Sequence, residues 1–215
     1  MTPVGVIGGT GHQGLGLAMR WAAARVPVVI GSRSPERARE AAARVRTATG
    51  GGPVEGMGNL EAARAAEIIV VTVPAAAHVE TLAALAPATE GKVVVDTTVP
   101  LDATFAHAVR LPEGSAAAQA QRILGERARV VGAFHTVPAT LLADLSRPID
   151  CDVLVCGDDA VAKSRVAEVA KPLGARVIDV GGLGHAHTLE QITALLIDLG
   201  RRVRRHELGV RITGL

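Results

Sequence analysis

Residues 4–20 read VGVIGGTGHQGLGLAMR: a short β-branched run, a cluster of glycines, then a stretch of helix formers. Glycine loses more conformational entropy on folding than any other residue, so this density needs a cause. Gly9-Thr10-Gly11-His12-Gln13-Gly14 satisfies G-x-G-x-x-G directly after a strand and at the opening of a helix, the context that the dinucleotide fingerprint requires. The first glycine permits the tight turn, the second lets backbone approach a pyrophosphate, and the third lets helix pack close to strand. Amides at the helix N-terminus then face the anion. The stretch predicts a dinucleotide held through its phosphates against bare backbone.

Outward from this motif the chain alternates short β-branched runs with alanine-rich helical stretches, the pattern of strand-helix-strand units. Strands are expected over 3–8, 27–31, 68–73, 92–96, 129–134, 152–156 and 176–180, with a weaker one over 54–57. Helices are expected over 12–25, 35–48, 59–66, 75–86, 115–126, 138–145, 160–172 and 188–207. The fold class is α/β: a doubly wound, mostly parallel Rossmann sheet of about seven or eight strands. Residues 1–182 form the nucleotide-binding domain and 183–215 a small C-terminal helical lobe. Leu189, Ile192, Leu195, Leu196 and Leu199 make an apolar stripe on the last helix, suited to burial against the core or a second copy of the chain, so a homodimer is expected.

The 215 residues suffice for one α/β domain with an appendage. Hydrophobic residues make up 48% of them, yet no apolar run approaches the roughly 20 residues of a membrane span. With no basic leader at the start, cytoplasm is the expected location, with no membrane partner. A net charge of +2 is too mild to argue for nucleic acid. What basic surface exists belongs to the C-terminal end, where Arg201, Arg202, Arg204, Arg205 and Arg211 face a single Glu207 within residues 201–211. Cys151 and Cys156 lie five apart on an expected strand, on opposite faces, and cannot pair.

The nucleotide is read at the end of the second strand. NAD-preferring sites place an acid there to bind the ribose hydroxyls. Here the chain reads VVIGSRSPER, so Ser32 is available to a phosphate, and Arg33 and Arg37 supply charge against a 2′-phosphate. NADP is the expected cofactor. Arg39 is assigned to the solvated helix face. Ser34, Pro35 and Glu36 cap the helix that follows.

GGTGHQGLGLAMR, IGSRSPERARE, VTVPAAAH, VVVDTTVPL, FHTVPA, VCGDD and ELGVR, in that order over nearly the whole chain, resemble the NADPH-dependent coenzyme F420 reductases. The resemblance implies a homodimeric Rossmann protein whose small-molecule partners are NADP(H) and the deazaflavin coenzyme F420, with a hydride passing between them. It implies that Thr10, Ser32, Arg33 and Arg37 hold the 2′-phosphate. It places the deazaflavin against Val99 and Pro100, His135 through Ala139 (with Val137 and Pro138), and the segment around Leu208 and Gly209.

The residues present agree with ring-to-ring chemistry. The chain has no tyrosine, which excludes Tyr/Lys proton-relay dehydrogenases, and its lysines, Lys92, Lys163 and Lys171, are not placed as acids or bases. An alcohol dehydrogenase moves a proton with the hydride and needs a positioned acid or base. Transfer between two cofactor rings needs proximity instead. His135, just past a strand end, is the candidate catalytic residue, positioned to hydrogen-bond the polar ring edge. Val73, Pro74 and His78 follow another strand end and border the nicotinamide or pyrophosphate.

No metal is expected: His185 and His187 lack a third ligand, and Asp158 and Asp159 sit where a helix wants caps. Trp21 is assigned to the core. The arginine run is either a solvated helix face or a patch that draws the phosphate and oligoglutamate tail of F420. Alternatives kept open are an NADPH-dependent flavin or ferric reductase resembling the STEAP type, a pyrroline-carboxylate-like imine reductase, and a non-enzymatic NADP sensor.

Overall fold

A computed structural model describes residues 3–215. Strands β1 (Val4–Ile7), β2 (Val28–Ser32), β3 (Val54–Gly58), β4 (Ile68–Val71), β5 (Val93–Asp96) and β6 (Arg129–Gly132) form one sheet in the order β3-β2-β1-β4-β5-β6. Every pairing in it is parallel. Strands β7 (Val153–Val155) and β8 (Val177–Asp179) form a separate parallel pair. The expected seven or eight strands are therefore divided into six and two. The seam is an antiparallel bridge in which Gly132 N–H donates to the Cys156 carbonyl at 2.8 Å and Cys156 N–H donates back at 3.0 Å.

Parallel strands covered by helices on both faces are apolar throughout, and VGVI, IIVV and VVVD are buried along their whole length. Alternate side chains serve opposite cores. Val4, Val6, Val70 and Val95 join Leu17 and Trp21 on one face, whereas Ile7, Ile69, Val71 and Val94 join Leu82, Leu85 and Leu189 on the other. Trp21 is fully buried, as the sequence suggests, and its indole N–H donates to the Val169 carbonyl at 2.6 Å.

The helices are α1 (His12–Ala23), α2 (Pro35–Ala48), α3 (Asn59–Ala65), α4 (Ala75–Leu85), α5 (Ala116–Leu124), α6 (Ala139–Ala143), α7 (Ala160–Ala170) and α8 (Ala186–Val203). The caps are the expected ones: Ser34 accepts from the Arg37 amide, and Asp159 accepts from the Ala162 amide. Asp158 accepts from the Leu183 amide at 2.8 Å, ahead of α8. Helix α8 stops at Val203 rather than 207 because Arg204 turns left-handed at φ 55°, and the Arg205 amide donates back to the Gly200 carbonyl. The following segment returns to the β7 edge, where Asp152 N–H donates to Val210 O and the Asp152 carboxylate binds Arg176 and the Ile212 amide. Cys151 and Cys156 are both buried and unbonded.

Strand order reverses direction between β1 and β4, the switch point where such sheets bind ligands. Gly8, at φ 73°, turns the chain out of β1. A Cβ on Gly14 would lie 2.7 Å from Gly9 Cα and 2.5 Å from Thr72 Oγ1, so α1 sits against its own strand and against the end of β4. The Gly14→Ala variant is expected to push α1 off the loop and to lose about 1–3 kcal/mol of stability, measured by urea unfolding.

Candidate active site

Two cavities open at the C-terminal ends of the strands. The larger, about 720 Å³, runs from the glycine loop to the β2 end and across β4 and β5. Its lining brings together Thr10, Gly11, His12 and Gln13, then Ser32, Arg33 and Arg37, then Val73, Pro74, Val99 and His135. Gly11, His12 and Gln13, the cap and first turn of α1, line this cleft, where the free amides of a helix start are available to an anion. At the far end Arg33 and Arg37 are exposed and, among the described residues, no carboxylate pairs with either. Arg39 pairs instead with Glu36 at 3.7 Å on the outer face of α2. The Ser32 hydroxyl accepts from the Ser34 amide at 3.2 Å and so shapes the turn that carries the two arginines.

The smaller cavity, about 330 Å³, lies beside it, walled by Val137, Pro138, Ala139, Leu196, Ile197 and Leu208, with Arg201, Arg205 and His206 among its polar lining. Gln13, His135, Thr193 and Ile197 line both cavities and mark where they meet. His135 is buried, and neither ring nitrogen has a partner. Desolvation lowers its pKa to about 4 against the opposing pull of the Asp96 carboxylate, so the ring is neutral near pH 7. Thr98, also buried on the cleft wall, has an unpartnered hydroxyl. Buried polar groups are nearly always paired, and these orphans suit a ligand.

Several expected contacts sit elsewhere. Gly9 and Gly14 lie behind the wall as packing positions and are not among the lining residues. Pro100 is buried, its carbonyl accepting from the Val109 amide at 2.7 Å, and lines neither cavity. His78 is corrected: it does not border the cleft. Ala75, Ala77 and Thr81 of α4 face the cleft, while His78 turns into the interior. Its Nε2 lies 2.5 Å from Asp96 Oδ2 and its Nδ1 3.1 Å from Gln119 Oε1. Gln119 is oriented by donating its amide to Glu113 at 3.2 Å, so both His78 nitrogens face acceptors. Burial opposes the charge, but the Asp96 bond and charge outweigh it and the His78 pKa is raised. The other Asp96 oxygen accepts from the Thr98 amide at 2.8 Å, so this pair shapes the turn bordering the cleft.

Residues missed by sequence reasoning include Asn59, Thr72, Thr97, Thr98 and Thr193. Thr72 and Thr97 donate their hydroxyls to the Ile7 and Val71 carbonyls, at 2.9 Å each, stitching neighbouring strand ends at the cleft floor. A threonine directly after a β-branched run was the available signal. Thr193 carried none, since it comes to the site from α8, far along the chain. Glu190, buried on that helix, has its pKa pushed up to about 8 by desolvation and accepts from the Ala116 amide at 2.7 Å. His187 contacts Glu190, and no group of three metal-ligating side chains is present among the described residues.

A dinucleotide cleft with an arginine-lined end, joined at a neutral buried histidine to a second, mostly aliphatic slot, defines an NADP-dependent oxidoreductase. Residues 3–100 match the family of coenzyme F420-dependent NADP oxidoreductases. The chain is 46% identical to an F420-dependent NADP reductase of Methanothermobacter thermautotrophicus, over 99% of this chain and 95% of the relative. It superposes on the crystal structure of a candidate F420-dependent NADP reductase from Arthrobacter sp. FB24 with a TM-score of 0.82 and 29% identity, covering 100% of both chains. It is also 30% identical to the metalloreductase STEAP3 of Rattus norvegicus, over 90% of this chain and 37% of that protein. The chain belongs to the F420-dependent NADP reductase family.

Folded His135 titrates at about pH 4 and an unburied histidine at 6.5. Above 6.5 both states hold the neutral ring. As pH falls toward 4 the unfolded chain takes up a proton that the folded chain refuses, and stability drops. His135→Gln is therefore expected to lose about 2–3 kcal/mol less than the unmodified protein between about pH 7.5 and about pH 4.5, read by denaturant unfolding at each pH.

Proposed function

We infer that this chain transfers a hydride between NADP(H) and coenzyme F420. The observation that carries the reading is the junction of the two cavities at Gln13, His135, Thr193 and Ile197. The larger cleft has helix amides for a pyrophosphate and, where Thr10 of the loop faces the β2 end, Ser32, Arg33 and Arg37 with it for a 2′-phosphate. The smaller has Val137, Pro138, Ala139 and Leu208 for a flat ring. When bound, the two cofactors supply the hydride donor and the acceptor carbon. The chain's own part is to hold them face to face, exclude water and present His135, which as a neutral ring can donate one hydrogen bond to a polar ring edge. The Arg201, Arg205 and His206 edge of the smaller cavity suits the anionic tail of F420.

Residues 1–182 are assigned to the nucleotide-binding unit and 183–215 to the segment that walls the second cavity. A cytoplasmic location and a symmetric dimer are proposed, the dimer alone resting on Leu195, Leu199 and Val203, which stay 62%, 42% and 50% exposed on one stripe of α8. Sedimentation velocity reads that state. The flavin or ferric reductase alternative has the STEAP3 similarity in its favour.

Mixing the protein with NADPH and F420 is expected to bleach the deazaflavin absorbance, whereas FMN or FAD in its place is not reduced at a comparable rate. Bleaching of flavin alone gives the alternative. Arg33→Ala is expected to raise KM for NADPH about 10- to 100-fold, the worth of one charge-assisted bond, and to leave KM for NADH unchanged.

A further inference from the structure

The loop carrying His135 is held from an unexpected side. Phe134, directly before it, has φ 64°, a left-handed conformation that strains a bulky non-glycine residue. Such a conformation persists only where its surroundings enforce it. Here they do so through the loop's own turn, in which the Val137 amide donates to the Phe134 carbonyl at 3.3 Å, and through α1. Phe134 is fully buried with its ring 5.9 Å from Trp21 and edge-on at 88°. The Gln13 side-chain amide donates to the Phe134 carbonyl at 3.1 Å and to the Val137 carbonyl at 3.4 Å. Farther along the same helix, buried Arg20 donates to the carbonyls of Leu141, Leu142, Asp144 and Arg147, closing the end of α6. Gln13, Arg20 and Trp21 are seven and eight residues apart, which places them on one face of α1. That face grips the whole 134–147 segment.

The His135 ring itself is held by shape. A Cβ on Gly132 would lie 3.2 Å from His135 Cε1, so the ring rests on bare backbone, and neither nitrogen is bonded.

We propose that Gln13 is a positioning residue: by holding the Phe134 carbonyl it keeps that residue left-handed and aims the His135 ring at the junction of the two cavities. Gln13 belongs to the glycine motif, yet its side chain serves the opposite wall. One rigid helix thus sets the pyrophosphate end of the first site with its amides and the ring wall of the second with its side chains. The inference rests on the proposed reaction only in taking the junction as the place where the rings meet.

The test uses Gln13→Met, which keeps length and loses both donors, and Gln13→Glu, which turns donors into acceptors facing two carbonyls. Histidine-selective 15N labelling reads the His135 ring in protein without F420, assigned by the signal lost in His135→Gln. In the unmodified protein the ring is expected to stay neutral down to about pH 4. In either Gln13 variant the loop relaxes, the ring meets water, and its titration moves up by one pH unit or more toward 6.5. Single-turnover hydride transfer to F420 is expected to fall tenfold or more, while the dissociation constant for NADP changes less than threefold. An unchanged His135 titration in both variants overturns the proposal. So does a loss of NADP affinity as large as the loss of rate, which makes Gln13 a ligand of the nucleotide. If the unmodified protein fails to reduce F420, the functional reading falls, and the titration comparison still decides the role of Gln13.

Discussion

The approach of α1 to β1 and β4 is the constraint on which the site depends. At Gly14 a single added carbon would meet backbone and the Thr72 hydroxyl, so the helix stands where only a missing side chain lets it stand. That placement puts the helix N-terminus and its amides over the switch point of the sheet. The same helix, through residues on its far face, fixes the loop after β6. The cleft at the glycine loop and the 134–147 wall of the second cavity are thereby referred to one rigid element, while α8 supplies the facing wall.

This geometry suits a reaction that asks little of side-chain acid–base chemistry. Transfer between two aromatic rings is dominated by distance and alignment, with the reacting atoms about 3–3.5 Å apart at the near-attack geometry. The structure offers aliphatic walls and uncharged groups at the junction, with His135 buried and Gln13, Thr193 and Ile197 half-buried. His135 is held neutral by desolvation, while the His78–Asp96 pair, one layer deeper, shapes the turn at Thr98. Charge is kept to the outer ends, with Arg33 and Arg37 at one and Arg201 and Arg205 at the other.

Much of this was legible in the sequence, for identifiable reasons. β-branched runs buried on both faces carry a strong signal, and the strands fall within a residue or two of their expected ends, although the division into six and two was invisible because an antiparallel seam at Gly132 and Cys156 is a long-range choice. The positions proposed for phosphate are local ones, a strand end, a loop and a helix start, and the structure brings Thr10, Gly11, Ser32, Arg33 and Arg37 to one cleft. His78 is hard to place from sequence because α4 is nearly half alanine and has no clear apolar face to say which way a lone histidine turns. The grip of Gln13 on Phe134 joins residues 121 positions apart, Thr193 reaches the cleft from the distant α8, and nothing nearby in the sequence announces either.

The two cysteines carry a different consequence. Both thiols are buried, and desolvation pushes Cys151 to about 11 and Cys156 to about 12, so neither is a thiolate at neutral pH. Cys156 lies on the seam between the two sheets, and Cys151 packs beneath Gly209 in the returning C-terminal segment. Alkylating reagents therefore have no target in the closed molecule, and the pace at which they mark each sulfur becomes a built-in clock for how often the seam parts and the tail lifts.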